Sequence, residues 1–188
     1  MAEKKLGGAG LRGQVAGETS LCTVGKTGTG LTYRGYDISV LTEKAKFEEV
    51  AYLLLRGQLP TQTELDAYIS KIKSLRDLPQ ELKDVLERIP ASAHPMDVMR
   101  TGCSLLGNLE TETDFSQQDD AIDRLLAILP SIICYWYVFS HEGRRIDTAL
   151  DDASIGGQFL HMLNGEEPGE LFSEVMNASL ILYAEHEF

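Results

Sequence analysis

Apolar residues in most of the chain recur at the spacing of a helix. Between residues 47 and 55 they fall at relative positions 0, 3, 4, 7 and 8, and a glycine follows at position 57. This spacing places them on one face of a helix, and a glycine just past its end can adopt the left-handed conformation that closes it. The pattern therefore predicts an amphipathic helix with the stripe Phe47, Val50, Ala51, Leu54 and Leu55.

Start and stop signals predict the helices that follow. Thr61 and Glu64 form a capping-box pattern, in which each side chain accepts a hydrogen bond from the backbone of the other, so a helix begins there and ends before Pro79. A short helix closed by Pro90 comes next, and Pro95 suits the first turn of another. Further helices are expected around residues 125–139, over roughly 153–163 and from about 170 onward.

Three of these helices carry stripes that are predicted to face the core. The helix that begins at Pro95 carries Met96, Met99, Cys103 and Leu106. The long helix carries Ile122, Leu125, Leu126, Leu129, Ile133 and Trp136, and Pro130 is expected to kink it because proline removes a backbone hydrogen bond. The last helix carries Phe172, Val175, Ser179 and Leu182, and His186 continues the same stripe.

The N-terminal part of the chain has a different pattern. Nine of the 17 glycines lie between Gly7 and Gly35, which disfavours helix there. The β-capable runs 19–24 and 31–34 predict a small β-hairpin. Because no strand alternates with the helices, parallel-sheet folds are excluded. We expect an all-α multi-helix bundle with a Gly-rich arm and hairpin over residues 1–36 and a helical unit over 37–188.

Charge and composition narrow the function classes. The chain has 17 Lys plus Arg and 29 Asp plus Glu, a net charge of −12, which argues against a nonspecific nucleic-acid binder. Residues 110–123 carry six acids and no base, so we expect them to be solvated. The most apolar stretch, residues 125–139, is shorter than the roughly 20 residues of a membrane span and predicts a buried core helix without a membrane partner.

Localisation is inferred from the cysteines and the first residues. Cys22, Cys103 and Cys134 form no Cys-x-x-Cys pair and are interpreted as buried free thiols. No apolar secretory segment opens the chain. We therefore expect a soluble cytoplasmic protein.

The four histidines are the main candidates for chemistry. His94 precedes the helix-entry Pro95 and is interpreted as structural. His141 stands in an expected loop and is interpreted as a structural or surface group, whereas the position of His161 on a helix indicates neither role. His186 lies at the end of a stripe expected to face the core, where partial desolvation would strengthen a hydrogen bond to a carbonyl ligand. Its neighbours Glu185 and Glu187 diverge on a helix, so no metal site is expected. Periodicity alone still favours a structural role for His186.

Six segments in order resemble the citrate synthase family. The "HPMDVMRT" and "YAEHEF" stretches are most similar to its 2-methylcitrate synthase branch. No single block is decisive, but together the segments cover nearly the whole chain. They span residues 19–38, 47–61, 92–102, 125–146, 151–168 and 180–188.

This resemblance implies an activity and a fold. The family is all-helical, two-domain and homodimeric, and it condenses an acyl-CoA with oxaloacetate without a cofactor beyond the CoA thioester. For the 2-methylcitrate branch the reaction is propionyl-CoA, oxaloacetate and water to 2-methylcitrate and CoA. His186 matches the family's oxaloacetate-binding histidine. Lys71 is a weaker candidate for a substrate-contacting cation, and the alternative is a solvated helix lysine beside Lys73.

The resemblance also implies what residues 1–188 lack. The catalytic aspartate base and the enol-stabilising histidine of the family have no counterpart here, so this N-terminal portion is expected to be inactive alone and to contain no catalytic residue. Without later helices, residues 125–139 are expected to expose a large apolar patch. Two alternatives stay open: a citrate synthase that uses acetyl-CoA, and a non-catalytic helical interaction or dimerisation module.

Overall fold

A computed structural model describes residues 17–25 and 30–185. This part of the chain contains eight α-helices, three two-residue strands and a 3-10 turn at Phe115–Gln117. The strands are β1 (Cys22–Thr23), β2 (Thr32–Tyr33) and β3 (Tyr36–Asp37). The helices are α1 (Ile38–Lys44), α2 (Phe47–Arg56), α3 (Gln62–Ser74), α4 (Gln80–Leu86), α5 (Pro95–Leu109), α6 (Gln118–Glu142), α7 (Ile155–Asn164) and α8 (Glu170–Leu182).

The predicted hairpin is confirmed and extended by one strand. β1 pairs antiparallel with β2, and β2 pairs antiparallel with β3, so the sheet order is β1-β2-β3. Tyr33 of β2 is fully buried and packs with α1, α2, α3 and α8 residues in one core cluster. The sheet is small and the molecule is otherwise helical, as the sequence predicts. The division at residue 36 stays a prediction.

Local signals fix most helix ends. Glu64 accepts from the backbone N–H of Thr61 at 2.8 Å, and Thr61 accepts from the backbone N–H of Glu64 at 3.4 Å, so the predicted capping box begins α3. Gly57 closes α2 with φ 93°, and Gly165 closes α7 with φ 79°, a conformation that other residues adopt at a cost. α1 was not predicted; the Asp37 side chain starts it by accepting from the backbone N–H of Ser39.

The long helix α6 is shared by two core clusters. Ala127 packs with the sheet, α2, α3, α7 and α8, whereas Ile128, Ile132, Tyr135 and Trp136 pack with α4 and α5. Together with the 3-10 turn before it, α6 is long and apolar enough to cross a membrane by length and composition alone. It packs against α3, α4, α5 and α7, which is the environment of a core helix. The helix continues through Pro130.

The expectation that residues 125–139 expose a large apolar patch is wrong. Within that range only Tyr137 is exposed, at 41%, because α4, α5 and α7 cover the rest of the helix. Cys134 is buried there, as predicted, whereas Cys22 and Cys103 are only partly buried.

The predicted stripe of α5 is out of phase with its buried face. Met96 is 62% exposed, and the buried residues are Val98, Gly102 and Leu106. The mismatch between the predicted and the buried face arises at Gly102, because a search for apolar side chains does not register glycine as a core residue. Only Leu106 belongs to both sets.

The predicted stripe of α8 faces solvent. Phe172, Val175 and Leu182 are 67%, 59% and 50% exposed, and the buried residue is Ile181. The packed side of α8 contacts α1, α2 and α7. The helix is apolar on more than one face, so periodicity alone did not identify the face that packs.

Candidate functional site

The C-terminal end of α8 leads directly to the strongest candidate residue. His186 itself lies outside the described residues, and its role stays a prediction. α8 is held on the helices before it by Asn177, whose side chain accepts from the backbone N–H of Phe47 at 2.8 Å and donates to the carbonyl of Ala45 at 3.1 Å. These bonds fix α8 to the junction of α1 and α2.

The last turn of α8 is fixed by a residue of the sheet. The hydroxyl of Tyr33 donates to the carbonyl of Leu182 at 3.2 Å. Burial raises the pKa of Tyr33. Sequence reasoning missed this residue, because nothing in a glycine-rich arm indicates a contact with a helix about 150 residues later.

Lys71, the weaker candidate, is ion-paired rather than freely solvated. Its ammonium lies 2.7 Å from carboxylate oxygens of both Asp120 and Asp123. The hydrogen bond to Asp120, followed by that to Asp123, raises the pKa of Lys71. The ammonium has three N–H donors and the two aspartates use two of them, so one donor remains for a substrate carboxylate; this role stays a prediction.

Asp123 is the centre of this charged cluster. Its side chain is 1% exposed and accepts from Arg56 at 2.8 Å, from Lys71 at 2.7 Å and from the Tyr68 hydroxyl at 3.3 Å. The expectation that all of residues 110–123 are solvated is wrong at this position, because cations of α2 and α3 neutralise a carboxylate on α6. The cluster ties the three helices together.

A second polar cluster lies at the N-terminus of α7. The buried carboxylate of Glu48 accepts from the backbone N–H of Ile155 at 2.7 Å, and Ser154 accepts from the N–H of Gly157 at 2.9 Å. Burial raises the pKa of Glu48. Arg76, also buried, donates to the carbonyl of Asp152 at 2.6 Å. Sequence reasoning did not single out either charged residue, since each looks like an ordinary polar helix position.

The remaining histidines make local contacts. His94 is the N-cap of α5 and accepts from the backbone N–H of Met96 at 3.2 Å, which confirms its predicted place at helix entry. His141 is in the last turn of α6, not in a loop, and its ring stacks on Tyr137 at 4.3 Å. His161 lies 3.0 Å from the Asp152 carboxylate. Within residues 17–25 and 30–185, no three possible ligands gather into a metal-binding group.

One cleft is adjacent to the charged cluster. It has a volume of about 520 Å³ and lies between α5, α6 and the loop that joins them. Its walls include Cys103, Leu106 and Leu125, and Asp120, a partner of Lys71, lies on its lining. This is an apolar cleft with an acidic border.

A model of the citrate synthase C-terminal domain matches residues 10–188. The chain belongs to the citrate synthase family. A 2-methylcitrate synthase of Shewanella oneidensis is 68% identical over 98% of this chain and 49% of its own length. A citrate synthase-related protein of Dictyostelium discoideum is 40% identical over 92% of this chain and 45% of its own length. The chain thus spans about half the length of the curated relatives it matches.

The fold agrees with solved members of the citrate synthase family. The crystal structure of citrate synthase from Pyrobaculum aerophilum aligns with a TM-score of 0.85 and 31% sequence identity, over 94% of this chain and 47% of that one. Membership in the family, the all-helical class and the small sheet are therefore established for this chain. The sequence identity to the Shewanella oneidensis 2-methylcitrate synthase, 68%, is higher than the 31% identity to this citrate synthase.

Proposed function

We propose that the enzyme containing this chain condenses propionyl-CoA with oxaloacetate and water, giving 2-methylcitrate and CoA. The observation that carries this proposal is the 68% identity to a 2-methylcitrate synthase over 98% of the chain. A citrate synthase that prefers acetyl-CoA is the second candidate, favoured by the structural match at 31% identity. We also propose a homodimeric, cytoplasmic enzyme without metal or cofactor beyond the CoA thioester.

The reaction has three chemical requirements. A base removes a proton from the α-carbon of the thioester, and the enol carbon then attacks the keto carbon of oxaloacetate. Water hydrolyses the thioester and CoA leaves as the thiol. Of these reaction steps we assign one to a residue of this chain, His186. Its ring N–H donates to the keto oxygen of oxaloacetate, which makes the keto carbon more electrophilic and stabilises the alkoxide that forms. The base and the enol-stabilising histidine are assigned to no residue of this chain.

The full-length protein tests the reaction directly. CoA thiol release is followed with propionyl-CoA and with acetyl-CoA, each in the presence of oxaloacetate. We expect release with both and a higher kcat/KM with propionyl-CoA. A higher kcat/KM with acetyl-CoA would support the citrate synthase alternative, and release with neither would contradict both.

Variants of the two candidate residues test their roles. His186→Ala is expected to lower kcat by about a hundredfold or more, because a donor to the developing oxyanion is lost. Lys71→Met is expected to raise the KM for oxaloacetate if the ammonium contacts a substrate carboxylate. The matched control is Lys73→Met, because Lys73 is on the same helix and pairs with Asp151 at 2.7 Å. Equal effects of the two lysine variants would contradict a substrate role for Lys71.

A further inference from the structure

Glu48 on α2 and Asp123 on α6 are two acids that are buried to the same degree, since each is 1% exposed. Asp123 accepts hydrogen bonds from the cations Arg56 and Lys71 and from the Tyr68 hydroxyl. Glu48 forms no ion pair with any residue of the described chain, and its Oε2 has no hydrogen-bond partner there. The two acids therefore differ in their partners and not in their burial.

The other carboxyl oxygen of Glu48 joins α2 to the N-terminus of α7. Oε1 accepts from the backbone N–H of Ile155, the first residue of α7, at 2.7 Å. Ser154 caps the same turn by accepting from the N–H of Gly157 at 2.9 Å. A carboxylic acid and a carboxylate can each accept the bond from Ile155. The contact between α2 and α7 therefore exists in either protonation state of Glu48, but only one of the two states places a charge in the core.

Two cations act on Glu48 without contacting it. Arg76 lies in the segment after α3, and its guanidinium donates to the backbone carbonyl of Asp152 at 2.6 Å. Lys46 precedes α2 and is exposed. Burial raises the pKa of Glu48, and the backbone N–H groups of Ile155 and Glu48 and the charges of Arg76 and Lys46 oppose this rise without cancelling it.

The helices packed against α2 bring no ion pair to Glu48 within the described residues. These helices are α3, α7 and α8. On α3 the titratable group is Tyr68, whose pKa is raised mainly by burial and only slightly by the charge of Glu48. On α7, His161 lies 3.0 Å from the Asp152 carboxylate. α8 bonds to the start of α2 through the neutral side chain of Asn177.

A buried carboxylate without a paired cation retains the cost of leaving water, and binding a proton removes that cost. We propose that Glu48 is a pH-sensitive contact between α2 and α7, which is most stable as the neutral acid and which weakens the fold when it ionises. Above its ordinary value of 4.5 the folded state holds this proton more tightly than the unfolded state does, so the free energy of unfolding falls as the pH rises through the folded-state pKa. This inference does not depend on the proposed reaction.

Glu48→Gln in the full-length enzyme tests the inference, because glutamine retains a carbonyl acceptor for the Ile155 N–H and stays neutral at every pH. We expect the thermal unfolding midpoint of the wild type to fall relative to that of the variant by about 2 °C or more between pH 5 and pH 8. Infrared difference spectra of the two proteins are a second measurement, independent of stability. We expect a carboxylic acid band of Glu48 at pH 5 and its loss as the pH rises.

Glu87→Gln is the matched control. Glu87 pairs with Arg145 at 2.7 Å and has its pKa lowered to about 2, so it is ionised throughout this pH range. Its substitution should change the midpoint by an amount that is the same at pH 5 and pH 8. A constant difference between wild type and Glu48→Gln, the absence of the acid band at pH 5, or failure of the neutral variant to fold would each overturn the inference. An equal pH trend in Glu87→Gln would overturn it too, because the trend would not come from Glu48.

Discussion

Asp123 lies in the most acidic stretch of the chain, yet its side chain is only 1% exposed. A carboxylate is expensive to remove from water unless cations and donors replace the lost hydration. Arg56, Tyr68 and Lys71 supply them, and they lie more than 50 positions away in sequence. A local count of charges therefore could not predict that this acid is buried while its neighbours are solvated.

The Asp123→Asn substitution is expected to lower the free energy of unfolding by about 3 kcal/mol, because it leaves Arg56 and Lys71 beside a neutral amide. Urea denaturation monitored by circular dichroism measures the change. Asp119→Asn is the control: Asp119 also pairs with Arg56, at 3.3 Å, but is 59% exposed. An exposed pair contributes about 1 kcal/mol or less, so equal losses in the two variants would contradict the importance of burial.

Glu87 gives a prediction about pH. Hydrogen bonds from Arg145 and then Tyr135 lower the pKa of Glu87 from 4.5 to about 2. A carboxyl with a lowered folded-state pKa stabilises the fold fully above its unfolded value, and this contribution is lost as the pH falls from about 4.5 towards about 2. Because Arg145 is 71% exposed, we expect only about 1 kcal/mol from this group after solvent screening.

The test is the difference in unfolding free energy between wild type and Glu87→Gln at several pH values. The difference should be largest above pH 5 and shrink as the pH falls towards 3. Glu81→Gln, at an exposed position of α4, should change the unfolding free energy less than Glu87→Gln does at pH values above 5. A difference for Glu87→Gln that does not change with pH would contradict the lowered pKa.

At the scale of elements, helix ends were easier to predict than helix faces. The Thr61–Glu64 box and the glycines at 57 and 165 act through the backbone of their own helix, so the sequence contains the whole signal. The buried face of α8 depends on which neighbours reach it, and two of its faces are apolar. α1 was missed because it has seven residues and only Leu41 is buried.

The residues of the candidate site also divide into those with a local sequence signal and those that depend on contacts between distant parts of the chain. Periodicity favoured a structural role for His186, and only the resemblance to a family assigned it to substrate. Tyr33 had no signal at all, because its contact with Leu182 joins positions 149 apart. Local rules of capping and spacing contain no information about such a contact.

The crossing of α5 and α6 depends on one glycine. A Cβ placed on Gly102 would lie 2.7 Å from Cγ2 of Ile132, which is fully buried, so the surrounding core would have to shift. Gly102→Ala is therefore expected to lower the unfolding free energy by about 1–3 kcal/mol through overpacking. Thermal and urea denaturation both measure it.

Gly107 provides the control on the same helix. A Cβ there meets nothing within 4 Å among the described residues. Gly107→Ala is expected to raise the unfolding free energy by about 0.5–1 kcal/mol, because alanine favours helix over glycine. Changes of the same sign in the two variants would show that close packing at residue 102 does not limit the crossing.

At the scale of the whole chain, the exposed apolar surface is on α8 rather than on α6. Leu171, Phe172, Val175, Leu182 and Tyr183 are each at least 50% exposed and recur along one side of the helix. Contiguous apolar surface of this kind is unfavourable in water and favours association. We therefore predict self-association through α8, the last helix described, and not through the core helix α6.

Sedimentation velocity of the 188-residue chain tests this location. We expect association that increases with concentration, and we expect Phe172→Ser with Val175→Ser to reduce it with little loss of stability, because both side chains are already more than half exposed. Phe115→Ser is the control, since Phe115 is 85% exposed but lies on the 3-10 turn before α6. If the control reduced association as much as the α8 double variant, the patch on α8 would not be its cause.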